Sequence, residues 1–408
     1  MSIALAVMFA ASRGRADRFS WEESVSGNFT DPNRWHGPNF PEHTRFPGAA
    51  DDASIDRGPL TVTIAGNQAT RELVTGQPTL NITGSYTVES IFGLGSPLTI
   101  VGGGTLNVTQ WQLGSQSIVD GATAKISSLQ PLGSSPPSEV IVRNGAEVTS
   151  QTLDKSRGSL RVLIEGAGAT WKHSAELPFA EIIVRANGRV EVSSTDGVFV
   201  DADGGSALLT AFGRFKGYGR IANGARIQCA EGVHSGQNTT IDGGTWASQG
   251  SFINEGSDIT IQNGGVLSAN NLMPGSFSAL TLVDGIGSRL SVANLFKPLG
   301  GTQLKHGGVL TCAEAQLDLG FVYAETGGAF TATGEIFCNN GLNLFNGGLL
   351  QANGILLADA AGGGAGMNVV GSGSFAQIST GLAVGQRGQA TLNVRDQGRV
   401  ISQSGGLG

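Results

Sequence analysis

Two carboxylates two residues apart, Asp201 and Asp203, form the pair in this chain best spaced for chemistry. In Val200-Asp201-Ala202-Asp203-Gly204-Gly205 an extended backbone places both side chains on one strand face, because successive side chains alternate. Paired acids so placed could work on a glycosidic bond if basic residues flank a groove. They could also hold calcium through oxygen ligands. The same six residues read equally as an ordinary turn, and that plainer reading is taken here. No catalytic, cofactor-binding or metal residue is assigned, and Asp201 and Asp203 stand as the weak calcium or catalytic candidates.

Other reactive side chains are scattered. The five histidines, His36, His43, His173, His234 and His306, share no spacing. Cys229, Cys312 and Cys338 are odd in number, and their wide spacing matches no zinc signature. Gly102-Gly103-Gly104 and Gly362-Gly363-Gly364 precede no helix that could present its N-terminus to a phosphate, so they read as chain corners. Trp171 and Trp246 are candidate sugar-stacking platforms, Trp111 is assigned to neither platform nor core, and Trp21 and Trp35 are read as packing the cap.

Composition narrows what could position these groups. The 408 residues include 64 glycines but only 13 prolines, and 14% are charged. Glycine follows no triplet period, which excludes collagen, and the lack of charge runs argues against disorder. A net charge of −7 without a basic stripe leaves nothing to replace phosphate counterions, so no nucleic-acid partner is expected.

The organising feature is a cassette that recurs about every twenty residues. It reads Asn187-Gly188-Arg189-Val190-Glu191-Val192 in one copy and Gly264-Gly265-Val266-Leu267-Ser268-Ala269 in another. Seventeen anchors run from Gly66 to Gly398, among them Gly121, Ala146, Gly168, Gly205, Gly287 and Gly373, with a mean interval near 21 residues. Alternation such as Thr391-Leu392-Asn393-Val394 is strand patterning. A fixed period of this size marks a solenoid. The expected fold is all-β, a single right-handed parallel β-helix of about 17 coils, roughly 75–80 Å long at ~4.8 Å per coil.

Register then assigns side-chain direction. One inward file holds Val148, Val190, Ile227, Trp246, Leu267, Leu310, Phe330, Leu350 and Val400, all apolar. A second holds Ser150, Val192, Cys229, Ser248, Ala269, Cys312, Ala332, Ala352 and Ser402, nearly all small. The outward file beside them holds Glu147, Glu191, Gln228, Ala247, Ser268, Thr311, Thr331, Gln351 and Ile401. A one-residue slip would invert the pattern. Trp246 thus becomes a core residue. Cys229 and Cys312, four coils apart at ~19 Å, cannot form a disulfide. The cysteines are read as small buried thiols.

The ends carry their own signals. Ile3 to Ala11 is apolar, and Gly14 and Ala16 suit a signal-peptidase cut before Asp17, so residues 1–16 read as a signal peptide. Residues 17–60 read as an N-terminal cap and 61–408 as the β-helix. The run is too short to span a bilayer and no other stretch is long enough. The chain stops at Gly405-Gly406-Leu407-Gly408 without a polar cap, so either the helix continues beyond it or the end meets another protein. End-to-end self-association is the corresponding expectation.

A second cassette alternates with the first: Val283-Asp284-Gly285-Ile286-Gly287-Ser288-Arg289-Leu290 and Val369-Val370-Gly371-Ser372-Gly373-Ser374-Phe375-Ala376. The latter is followed by Leu382-Ala383-Val384-Gly385-Gln386-Arg387-Gly388-Gln389-Ala390-Thr391-Leu392-Asn393-Val394. These segments resemble the passenger repeats of autotransporter-type and related secreted bacterial β-helix proteins. Gln389-Ala390 departs mildly from the usual glycine and small residue. Trp21, Gly27, Phe29, Asp31, Asn33 and Trp35, then Pro47, Asp51, Asp52, Ala53 and Ile55, resemble the opening segment of such exported repeat proteins. The resemblance implies an extracellular or cell-surface setting, but no ligand.

The expected function is an exported, non-enzymatic surface or matrix protein with a structural or adhesive role. Its expected partners are surface glycans or other envelope proteins. The alternative is a carbohydrate-active enzyme, a lyase or hydrolase of the pectin-lyase-like class, which shares the fold.

Overall fold

The computed structural model describes residues 16–408 apart from 23, 38–43, 57, 94–96, 133–135, 155, 157, 276–278 and 359–363. The apolar run at Ile3–Ala11 and His43 lie outside the described residues.

Stacked coils, each crossing three flat faces, build a parallel β-solenoid of about 17 turns of about 20 residues. One late coil shows the plan. Gly341–Phe345 forms its first-face strand, Leu349–Ala352 its second and Gly354–Leu357 its third. Each pairs in parallel with its counterpart one coil earlier, Phe321–Glu325, Ala329–Ala332 and Glu335–Cys338. Sixteen such steps along the second face carry Asn67 to Arg399, an average of about 21 residues per coil.

The turn between first and second faces explains the glycines. Asn346 and Gly347 both take positive φ, 45° and 92°, which asparagine and glycine tolerate best. At Gly348 a Cβ would lie 2.1 Å from the Ala324 carbonyl oxygen of the coil below. No larger residue fits there without moving the stack. Thr326-Gly327-Gly328 and His306-Gly307-Gly308 repeat the turn, so His306 is a surface turn residue, bonded through Nδ1 to Asp284 at 2.7 Å.

Pairing corrects five anchors by one or two residues. The stacked position is Ala122, Ala169, Ala207, Ser288 and Ser374, not Gly121, Gly168, Gly205, Gly287 and Gly373. In these coils a small side chain fills the corner and the positive-φ glycine moves earlier, as at Gly287 and Gly373. The serine of the G-x-G-S segment has a job: Ser374 Oγ accepts from Gly347 N at 3.2 Å and donates to the Val370 carbonyl at 2.7 Å. Ser288 accepts likewise from Gly264 N.

The inward files hold. Val148, Val190, Trp246, Leu267, Leu310, Phe330 and Leu350 are buried, and so are Ser150, Cys229, Ala269, Cys312 and Ala352 in the small file. Glu147 belongs one file over, because it pairs with Thr170, while Thr149 pairs with Lys172. Val400 and Ser402 are half-buried on the last coil.

At the other end the stack is covered by aromatics. Arg18–Trp21 pairs antiparallel with Trp35–His36 and parallel with Asp52–Ile55. Trp21 and Trp35 meet edge-on at 5.0 Å, and Phe29 packs against Trp35 at 5.2 Å. Their indole N–H groups donate to the Val25 and Phe29 carbonyls, so the large rings are buried without an orphaned donor. Arg45 pins this segment through Asp17 and Asp51. No helix among the described residues is long and apolar enough to cross a membrane.

Candidate functional site

Where the second face bends into the third, side chains from successive coils line an open groove of about 620 Å³. Three files meet there. Val88, Val108, Ile126, Ser150 and His173 turn inward and form the floor. Thr87, Asn107, Lys125, Thr149, Lys172 and Glu191 stand along one bank, paired coil to coil. Thr109, Ser127, Gln151, Ser174 and Ser193 make the other bank, which ends at the Phe212 ring, 69% exposed. Seven coils take part, so the groove runs for ~29 Å.

Its electrostatics are set by two amines and two carboxylates, Glu191 on the bank and Glu147 just outside it. Lys172 Nζ donates to Glu147 Oε1 at 2.8 Å, which raises the amine above its ordinary value, with Glu191 adding to the effect. Lys125 is exposed. Of the groove-lining residues only Glu191 carries a carboxylate. Asn107 Nδ2 is held by Ser85 Oγ at 3.2 Å, which fixes its amide at the bank.

Within the floor lies a buried polar cluster. Trp171 Nε1 donates to Ser150 Oγ at 3.0 Å, and Ser150 Oγ meets His173 Nδ1 at 2.9 Å. Burial lowers His173 to about 4, offset in small part by the Glu176 backbone. A serine beside a histidine invites a nucleophile–base reading. Here Ser150 and His173 are each 2% exposed. Substrate cannot reach the hydroxyl, and the cluster packs the floor.

The sequence candidates lie on a different face. Asp201 and Asp203 both point outward from the first face, on the same strand. Arg185 bonds the Asp201 carboxylate, and Arg220 reaches Asp203 Oδ2 at 3.0 Å and Asp201 Oδ1 at 3.6 Å. Asn223 donates to Asp203 at 2.7 Å. The Asn223 amide, then the Arg220 guanidinium, hold the Asp203 carboxyl below its usual range. Arg185, Arg220 and Asn223 thus take three of the four carboxylate oxygens, while Asp201 Oδ1 is buried without a hydrogen bond among the described residues, its nearest cation Arg220. Among the described residues no group of three or more His, Cys, Asp or Glu could hold a metal.

The remaining candidates are core. Trp171 and Trp246 are each 1% exposed, which removes both as platforms, and Trp111, also 1% exposed, joins the core. Cys229 and Cys312 share the small file, Cys338 lies on the third face, and all are free thiols. Burial pushes Cys312 up to about 12 and Cys338 up to about 11, so neither is a thiolate at neutral pH. His234 is enclosed between Asn254 and the Gln237 carbonyl, and burial lowers it.

The groove escaped sequence reading, although a signal was present. Lys125 and Lys172 stand three residues beyond the corner residues Ala122 and Ala169, at one outward position two coils apart. Anchoring on Gly121 and Gly168 keeps the match but moves both lysines by one, into the inward small file, so that they do not register as a surface pair. The chain matches no protein-family model, no curated protein and no solved structure.

Proposed function

We propose that the chain is an exported, non-enzymatic β-helix protein of the cell surface or matrix, and that its corner groove grips a chain of acidic sugars. The observation that supports this is the lining. Hydroxyls or amides recur at six of the seven coils, two lysines stand among them, and an exposed ring closes the row on the seventh. A periodic bank suits a periodic polymer. Lysine amines pair with carboxylate or sulfate, and the Phe212 face offers apolar area to a sugar ring.

The same lining weighs against turnover. Glycosidases ordinarily need two carboxylates across the bond, and the groove presents Glu191 alone. A base for β-elimination must give up its proton near neutral pH, whereas Lys172 is held protonated by Glu147. The setting outside the cell rests on the signal-like start and on the resemblance to secreted repeat proteins.

Binding to immobilised acidic and neutral polysaccharides tests the reading. Acidic chains should be retained, and Lys125→Ala with Lys172→Ala, or Phe212→Ala, should each weaken retention about tenfold or more. Retention of neutral chains alone would remove the acidic ligand. Steady release of sugar fragments, abolished by Glu191→Gln or by Asp201→Ala with Asp203→Ala, would replace adhesion by catalysis.

A further inference from the structure

The first face carries a pattern unrelated to the groove. Over four successive coils its middle outward file is Ile118, Ile141, Leu163 and Ile183, each partly exposed. Charged files run on either side. One reads Asp120, Arg143, Glu165, Arg185, and the other Gln116, Glu139, Arg161, Glu181. Arg143 holds Asp120 at 2.9 Å, Arg161 holds Glu181 at 2.7 Å, and Gln116 donates to Glu139 at 2.6 Å. Among the described residues Glu165 makes no ion pair.

Alternating signs over an even number of coils invert when the order is reversed. A two-fold axis lying in the face, along the strands and between Ile141 and Leu163, reverses the coil order and leaves each file opposite itself. Asp120 then faces Arg185, Arg143 faces Glu165, Glu139 faces Arg161 and Gln116 faces Glu181. The apolar file meets itself, Ile118 on Ile183 and Ile141 on Leu163. Continuing outward, Thr99 opposes Asp201, Thr79 opposes Arg220 and Thr61 opposes Thr240, ten coils in all, with no like charges brought together.

We propose that this face docks a second copy of the chain, side by side and antiparallel. Charge complementarity selects that occupant: both charged files and the apolar file match their own reversal, which an unrelated surface would match only by accident. Glu165, which has no ion pair among the described residues, gains one with Arg143 of the second copy. The area is adequate. Ten coils at ~4.8 Å and strands about five residues long at ~3.3 Å give roughly 800 Å² per copy, the size of a standard specific interface.

Sedimentation across a concentration series, with small-angle scattering on the same samples, decides the matter. A dimer overlapping ten of about 17 coils should be about 115 Å long, against about 160 Å for an end-to-end pair. Arg143→Glu should weaken dimerisation about tenfold or more, because it faces Glu165 twice in each dimer. Adding Glu165→Arg should restore the dimer to within about threefold. It should not restore the melting temperature, since a carboxylate at 143 still opposes Asp120 within the chain. Leu163→Lys touches no ion pair and should weaken the dimer about tenfold with the fold intact by circular dichroism. A wild-type monomer at every concentration, a 160 Å particle, or a dimer indifferent to both Arg143→Glu and Leu163→Lys would each overturn the proposal.

Discussion

The corner groove recurs along this solenoid, and an early and a late stretch differ in what fills the same positions. The early stretch has Lys125, Lys172 and Glu191 on its bank, Ile126, Ser150 and His173 in its floor, and Phe212 at its end. The late stretch has Thr331, Gln351 and Gln377 on the bank and Ala332 and Ala352 in the floor, enclosing about 370 Å³. The backbone of the two is the same corner, so the bend is a product of the coil and cannot itself be the functional signal. What distinguishes the stretches is charge, an exposed ring and a floor filled by a hydrogen-bonded cluster instead of alanine. A stacked fold of this kind supplies positions for nothing extra, and specificity is written file by file on top of it.

The largest effect should come from breaking what both stretches share. Leu350→Asp, in the late large file, or Val148→Asp, in the early one, would bury an unpaired charge between coils. Each should cost about 4 kcal/mol or more and open its own region to protease first. Equal sensitivity at every site along the rod would mean that the coils do not unravel locally.

Next in size is a pH effect confined to the early stretch. His173 falls to about 4 when folded, below the ordinary value of 6.5. The unfolded chain therefore binds the extra proton between pH 6.5 and 4, and stability declines as pH falls through that window. The loss is at most about 3 kcal/mol. His173→Val, using the residue type that Val192 supplies on the next coil, should flatten most of that decline in melts between pH 4 and 7. A remainder is expected from His234, which burial also lowers. An unchanged slope would place the titration elsewhere. Ser150→Ala is smaller: it strands Trp171 Nε1 and His173 Nδ1 and should cost about 1–3 kcal/mol, while Ala352→Gly in the late floor leaves no donor unpaired.

The comparison also shows why some parts were legible in the sequence. Inward files can be read because burial forces their chemistry: Leu267, Leu310 and Phe330 had to be apolar, and Cys229 and Cys312 had to be small. That logic found the fold, the number of coils and the burial of Trp246. It located Asp201 and Asp203 on one strand face but was silent on Arg185 and Arg220, which come from the neighbouring coils. Outward files carry no such constraint. Lys125, Lys172 and Phe212 fall into one groove only once the exact corner residue is known, and the glycine used as a marker moves where alanine or serine takes that corner. Sites built across coils depend on register to the residue, whereas the fold survives an error of one or two.

The smallest effect on stability should be the most informative about function. Lys172 and Glu147 form an exposed pair with side chains 45% and 43% accessible, and such pairs contribute about 0–1 kcal/mol. Lys172→Met keeps the aliphatic stem on the bank and removes only the charge. Its melting curve should nearly overlay the wild type. Retention of an acidic polysaccharide should nonetheless fall, and raised salt should weaken wild-type binding more than variant binding, because screening acts on the interaction already deleted. The reciprocal change sharpens the contrast. Thr331→Lys with Gln377→Lys places two amines two coils apart on the late bank, the spacing of Lys125 and Lys172. If amine spacing over a polar corner is what grips the polymer, the doubly substituted late groove acquires salt-sensitive binding in a chain that lacks Lys125 and Lys172. If it stays inert, Phe212 and the filled floor are required as well, and the early stretch works as a shaped site and not as a row of charges.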